Sequence, residues 1–167
     1  DDTELFENDI IRIYDIFMDY KVLAATDNWL LRTFSRPEFQ KRMGTRELHY
    51  ILGQFADEIE QERGTVGKSF IAEAYRYEVP VYTSSPGDST LGLDIAALNL
   101  VGKDICIDSA IDVNETAALV LEAKHTGQSA VIIWGGGSPK NFILQPEPAL
   151  QEVLGFDIKG HDYFVQV

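Results

Sequence analysis

Apolar positions change period near the middle of this chain. Through the first half they recur at intervals of three and four residues, the helical spacing. In "ELFENDIIRIYDIFM" the positions Leu5, Ile10, Ile13 and Phe17 predict a first helix, with Asp2 or Thr3 as its cap. A short helix is expected through "NWLLRTF", capped by Thr26 or Asp27, and Arg36-Pro37 opens another piece. The clearest pattern is "TRELHYILGQFADEIEQERG", where Leu48, Ile51, Leu52, Phe55 and Ile59 form one face and Gly64 closes the helix. "SFIAEAYRYEV" continues in the same period, with Ser69 as its cap.

From Pro80 onward, short apolar runs alternate with helical patterns. "PVYTSS", "DICID", "SAVIIW" and "DYFVQV" read as strands. Between them, "LDIAALNL", "DVNETAALVLEAKHTG" and "EPALQEVLG" read as helices, the second capped by Asn114 or Asp112 and stopped by Gly127. Strands alternating with helices predict βαβ units. The expected class is therefore α/β: a Rossmann-like, mainly parallel sheet with helices on both faces, preceded by a helical segment. A single domain over residues 1–167 is expected, with 1–79 mostly helical and 80–167 alternating.

Composition narrows the function classes. At 167 residues, 45% of them apolar and 11% aromatic, the chain has enough hydrophobic material for a globular core. Its formal charge is 14 minus 27, or −13, and no run of Lys and Arg interrupts the acidity. Nucleic-acid binding is therefore not expected, whereas an acidic field attracts cations, polyamines among them. Cys106 stands alone in "DICID" and reads as a buried strand thiol, without a partner for an internal disulfide. No apolar run approaches the ~18 residues that span a bilayer, and no charged-then-apolar leader opens the chain. A cytoplasmic location without membrane association is expected. His49, His125 and His161 pair with no second His or Cys at ligand spacing, so no metal is expected. Asp104, Asp108 and Asp112 read as strand-end and cap residues.

Two glycine segments compete as phosphate binders. "GTVGKS" carries the Gly-Lys-Ser ending of a P-loop, but the full motif requires glycine at position 62, where Glu62 stands. A helical pattern precedes it where the motif requires a strand, so Gly64 reads as a helix stop and Ser69 as a cap. "VIIWGGGSPKN" has the better context: Gly135, Gly136 and Gly137 follow a strand, at the sheet edge where ligands of parallel sheets bind. Ser138-Pro139 then suits the start of a helical turn, though Lys140 falls where the dinucleotide fingerprint wants a third glycine. A tight turn and a close ligand approach both explain these glycines. The loop "TSSPGDSTLG" favours a ligand, because it too leaves the end of an expected strand. It offers Ser84, Ser85 and the carboxylate of Asp88, which is suited to a ribose hydroxyl pair.

Those two loops carry a resemblance. "ELFENDIIRIYDIF", "PVYTSSPGDSTLG", "DVNETAALVLEAKHTG", "VIIWGGGSPKNFILQ" and "GHDYF" together resemble the deoxyhypusine synthase family, in its deoxyhypusine synthase-like branch. The resemblance implies a transferase: NAD oxidises spermidine or a related polyamine, and the aminobutyl group passes through an imine on a lysine to a protein lysine. In homospermidine-forming relatives the acceptor is a free amine. It further implies a Rossmann-like homotetramer with NAD at subunit interfaces, bound here by Asp88, Gly135, Gly136 and Gly137 with Ser84 and Ser85. Toward the polyamine, Asn141 stands where the spermidine enzymes carry a histidine. Their substrate-binding acid falls on Leu93, with Asp94 one place along. The reactive lysine is expected outside this chain, which is then part of a longer protein. A catalytically silent binding or assembly module is the alternative.

Overall fold

The computed structural model describes residues 2–167. Helices outweigh strands, and the described residues divide into two compact units, one built from residues 2–41 and 87–105, the other from 42–86 and 106–167.

In the first unit, helix α1 (Asp2–Glu7) stops where Asp9 turns to positive φ. The chain then forms an antiparallel hairpin of β1 (Ile10–Ile13) and β2 (Ile16–Asp19). The helix expected through residue 18 is thus a helix of one and a half turns followed by a hairpin. Four isoleucines within seven residues favour the strand, and Tyr14 takes the positive φ of the tight turn. Helix α2 (Tyr20–Phe34) follows, capped by Asp19, whose side chain accepts from Lys21 N–H at 2.8 Å. Asp27 lies inside this helix and is not its cap. A turn at Pro37–Phe39 brings Phe39 edge-on to Phe34, with ring centroids 5.1 Å apart. Helix α5 (Thr90–Leu100) packs on α2 and buries Ile95 and Leu98.

The second unit holds strands β3 (Arg42–Met43), β4 (Cys106–Ile107), β5 (Ala130–Ile133) and β6 (Tyr163–Gln166). β3 pairs with β4 and β5 with β6, both in parallel. The expected α/β class and parallel pairing are present, but as separate two-stranded sheets; one continuous sheet covered on both faces is not formed among the described residues. The expected strand "PVYTSS" forms no ladder among the described residues. Cys106 is exposed rather than buried, because its strand is two residues long and pairs on one side. No helix among the described residues is long and apolar enough to cross a membrane.

Helix α3 (Thr45–Arg63) ends on Gly64 at φ 64°, as its spacing predicts, and α4 (Phe70–Arg76) starts on the Ser69 cap. The two helices pack tightly because Gly53 has no side chain. A Cβ there would stand 2.6 Å from the Ile71 carbonyl oxygen and 2.8 Å from Tyr75 Cβ. Helix α6 (Ser109–Thr126) is capped by Asp108, not by Asp112 or Asn114. Ala117 and Val120 of α6 meet Leu150 in a small core. Helix α7 (Ser138–Leu144) follows the glycines. The helix expected over "EPALQEVLG" is one turn, Pro146–Pro148, running into a wider π turn, Ala149–Val153.

The P-loop-like "GTVGKS" has a specific structural role. The Glu60 carboxylate reaches back from α3 and accepts from the N–H groups of Gly67 (3.1 Å), Lys68 (2.8 Å) and Ser69 (2.5 Å). Arg76 pairs with the same carboxylate and with Glu73, and lies 2.5 Å from Asp57. The amide cradle that resembles a phosphate site is filled by the protein's own acid.

Two predictions follow from this packing. Arg76, helped by the three amides and opposed by burial, holds Glu60 at about 2, below its usual 4.5. A depressed acid stabilises the fold above its unfolded value, so this contribution is present above pH 4.5 and lost as pH falls toward about 2. Urea titrations between neutral and acid pH should show wild type losing more stability in that window than Glu60→Gln. Gly53→Ala gains about 1 kcal/mol of helix propensity, less than the overpacking it forces. A net loss of up to about 2 kcal/mol in urea unfolding is expected.

Candidate functional site

The site in the second unit begins at the start of α3. Its N-cap is Gly44, which offers no side chain to the free amides of the first turn. Asp112 of α6, 1% exposed, supplies the missing acceptor. Its Oδ2 accepts from Thr45 N–H at 2.9 Å and from Thr45 Oγ1–H at 2.8 Å. Thr45 Oγ1, having donated to Asp112, accepts from Thr83 N–H at 2.9 Å. Thr83 Oγ1 in turn shares a 2.8 Å hydrogen bond with His49 Nε2. His49 is buried, which lowers its pKa against the opposing pull of Asp112.

Thr83 is thereby fixed, and the next two residues are Ser84 and Ser85. Their hydroxyls meet that of Ser138, at 3.0 Å from Ser84 and 2.6 Å from Ser85. Ser138 is the first residue after the glycines, so the two loops converge through three hydroxyls. Tyr82, one residue before Thr83, packs its ring on Phe142 of α7 (centroids 5.9 Å apart) and donates to Glu115 at 3.2 Å. Burial, with Glu115 beside it, raises the Tyr82 phenol.

The glycine loop is pinned by the end of β6. Gly135 N–H donates to the Val167 carbonyl at 2.8 Å, and Gln166 Nε2 donates to the Gly135 carbonyl at 2.7 Å. Lys140 Nζ donates to Gln166 Oε1 at 2.7 Å. Gly135 and Gly137 have φ of 84° and 81°, and nothing lies within 4 Å of where their Cβ atoms would be. Gly136 lacks the positive φ. Trp134, just before them, is 78% exposed. The loop therefore presents bare backbone and hydroxyls on an open surface.

The other residues selected from the sequence lie as follows. Asn141 is exposed on α7. Asp88 belongs to the first unit, exposed at the end of the turn Pro86–Asp88. Asp94, also of the first unit, is buried on α5, and its Oδ2 has no hydrogen-bond partner among the described residues. Burial first, and the charge of Asp27 second, raise its pKa. Leu93 is exposed. Ser138, Thr45, Asp112 and Gln166 escaped the sequence reading as site residues. Ser138 was visible there as a helix start, whereas the contacts of the other three span 30 residues or more. Two cavities of about 320 Å³ open on the second unit, one lined by Arg46, His49, Tyr50, Tyr75 and Glu78 among others, the second beside Gly44, Glu47 and Glu115. Neither contains a residue of the serine and glycine loops. Among the described residues, no three His, Cys, Asp or Glu side chains gather as metal ligands.

The glycine geometry separates positions that look alike in sequence. Gly137, at φ 81° and ψ −148°, occupies a region essentially closed to other residues. Gly137→Ala should cost about 1–3 kcal/mol, and Gly136→Ala no more than about 0.5 kcal/mol. Chemical denaturation of the two variants side by side checks this ordering.

The sequence profile of the family described as deoxyhypusine synthase matches residues 1–167. A deoxyhypusine synthase-like protein of Nostoc punctiforme is 52% identical, over 99% of this chain and 43% of its own. One from Thermosynechococcus vestitus is 50% identical, over 100% of this chain and 43% of its own. A probable deoxyhypusine synthase 2 of Methanosarcina acetivorans is 36% identical, over 99% and 45%. The chain thus spans less than half the length of these relatives. This chain belongs to the deoxyhypusine synthase family.

Proposed function

We propose that this chain contributes the dinucleotide-binding part of an NAD-dependent aminobutyl transferase. The enzyme oxidises spermidine or a related polyamine and transfers the aminobutyl group to a protein lysine or an amine. The observation that carries this reading is the meeting of Ser84 and Ser85 with Ser138 beside the open glycine loop. Family membership over residues 1–167 supports the reading.

The residues present suit the cofactor. Open space above Gly135 and Gly137 lets a ligand lie against the main chain, and the three hydroxyls supply donors and acceptors for phosphate or ribose oxygens. Asp88 keeps its assignment to a ribose hydroxyl pair, which an exposed carboxylate accepts bidentately. NAD, when bound, supplies the hydride acceptor. On the substrate side, Asn141 is exposed one helical turn after Gly137, and its amide suits a polar contact to an amine. Asp94 is assigned to the polyamine side by its place next to Leu93; its Oδ2 is buried without a hydrogen-bond partner among the described residues. The net charge of −13 favours a polycationic substrate. The reading includes a site completed by a second copy in a Rossmann-like homotetramer. A cytoplasmic setting accords with such an assembly. The nucleophilic lysine is assigned to the part of the relatives' length that this chain does not span.

The test is calorimetric titration of the full-length protein with NAD, with Asp88→Ala beside it. Wild type should bind saturably. Losing a charged acceptor should weaken binding about 10- to 100-fold, from about 1.5–3 kcal/mol per charge-assisted bond. An absence of NAD binding at millimolar concentration would overturn the reading in favour of a silent assembly module. Spermidine oxidation assayed with protein and amine acceptors then separates the two transfer reactions.

A further inference from the structure

We propose that Thr45 and Asp112 are positioning residues for the cofactor loop, acting through the main chain of Thr83 to place Ser84 and Ser85 against Ser138. This inference rests on the NAD reading above and names the device that holds its serine loop in place.

Among the described residues the segment from Val79 to Ser84 has no ladder partner, so neighbouring strands do not locate it. A segment of this kind samples many conformations unless specific bonds select one, and each fixed residue costs roughly 1–2 kcal/mol of backbone entropy. The Thr83 amide finds its acceptor in the Thr45 hydroxyl, at 2.9 Å. A hydroxyl that accepts in this way must direct its own proton elsewhere. Asp112 Oδ2 takes that proton at 2.8 Å, while also taking the Thr45 amide proton at 2.9 Å. The carboxylate therefore orients the hydroxyl lone pair toward Thr83, and a donor in place of Asp112 would turn the hydroxyl around.

Packing around the pair is close. Gly44 leaves room for the carboxylate, since a Cβ there would come within 2.5 Å of Asp112 Oδ1. The Thr116 hydroxyl donates to the Asp112 carbonyl at 2.9 Å, fixing the turn of α6 that carries the carboxylate. His49 adds the second tether, on the Thr83 hydroxyl rather than its amide. Ser138 Oγ then lies within hydrogen-bond reach of both Ser84 Oγ and Ser85 Oγ, a spacing set beginning one residue away from Thr83. A loop displaced by an ångström would lose these contacts, and with them the arrangement of groups offered to the cofactor.

The decisive variant is Thr45→Val, which keeps the side-chain shape and removes only the hydroxyl. Thr45→Ser restores the hydroxyl, and Gly53→Ala lowers stability in the same unit without touching the network. Each is made in the full-length protein and read by NAD affinity and by hydrogen exchange at the Thr83–Ser85 amides. Thr45→Val should raise exchange at Thr83–Ser85 by at least about tenfold and weaken NAD binding by about tenfold. Thr45→Ser should stay within about threefold of wild type on both readouts. Gly53→Ala should lose stability while keeping both. The proposal falls if Thr45→Val leaves exchange of these amides unchanged, or if Gly53→Ala matches it on both readouts. Should wild type fail to bind NAD, the cofactor reading falls by itself, and the exchange comparison still decides whether Thr45 holds the loop.

Discussion

One buried carboxylate connects the parts of the second unit. Asp112 stands 67 residues from Thr45 in the sequence, yet supplies the acceptor that the first turn of α3 lacks. A helix that begins on glycine leaves its leading amides to water or to a tertiary partner. Here the partner is on another helix, so capping α3 also docks α6 against it. The hydroxyl that Asp112 orients then takes the Thr83 amide. A capping interaction has thus become the anchor of a loop. Burial makes it exacting, because removing one member leaves a polar group unpaired away from water, at a cost of about 1–3 kcal/mol.

Legibility in the sequence followed the range of the interactions. Helix α3 was readable through Leu48, Leu52 and Phe55, all buried, and through Gly64 at its left-handed end. Ser69 as a cap and Gly127 as a stop were local signals that the structure bears out. The helix expected from Glu4 to Met18 is present only up to Glu7, although Leu5, Ile10, Ile13 and Phe17 fit a helix by spacing. The β-branched run and the turn at Tyr14 decided for a hairpin. Asp112 was recognised as a capping residue but assigned to its own helix, which Asp108 caps instead. No local pattern distinguishes an acid that caps its own helix from one that caps another.

The same limit applies at the two glycine segments, with opposite results. "GTVGKS" presents consecutive amides toward one point, the arrangement that attracts an anion. Glu60, seven residues before Gly67, is the anion. Arg76 balances the charge, and the cluster joins α3 to α4. The sequence excluded a nucleotide there through Glu62 and the preceding helix, but it did not reveal that Glu60 fills the cradle.

At "WGGGSPKN" the chain supplies no such occupant. Gly135 and Gly137 adopt backbone angles that side chains resist, so a turn explains two of the three glycines. A turn alone, however, does not require open space above them, nor an exposed tryptophan before them. Nor does it require three serine hydroxyls gathered at its end and bonded chiefly to one another. Hydroxyl groups on an accessible surface exchange such bonds readily for those of a polar ligand, since the net difference is about 1 kcal/mol each. Glu60 closes one amide cradle from within, while the glycine loop is held from behind by Gln166 and left uncovered in front. One amide cradle is thus filled from within, while the glycine loop stays open beside the three serines, next in sequence to the Thr83 that Asp112 and Thr45 hold.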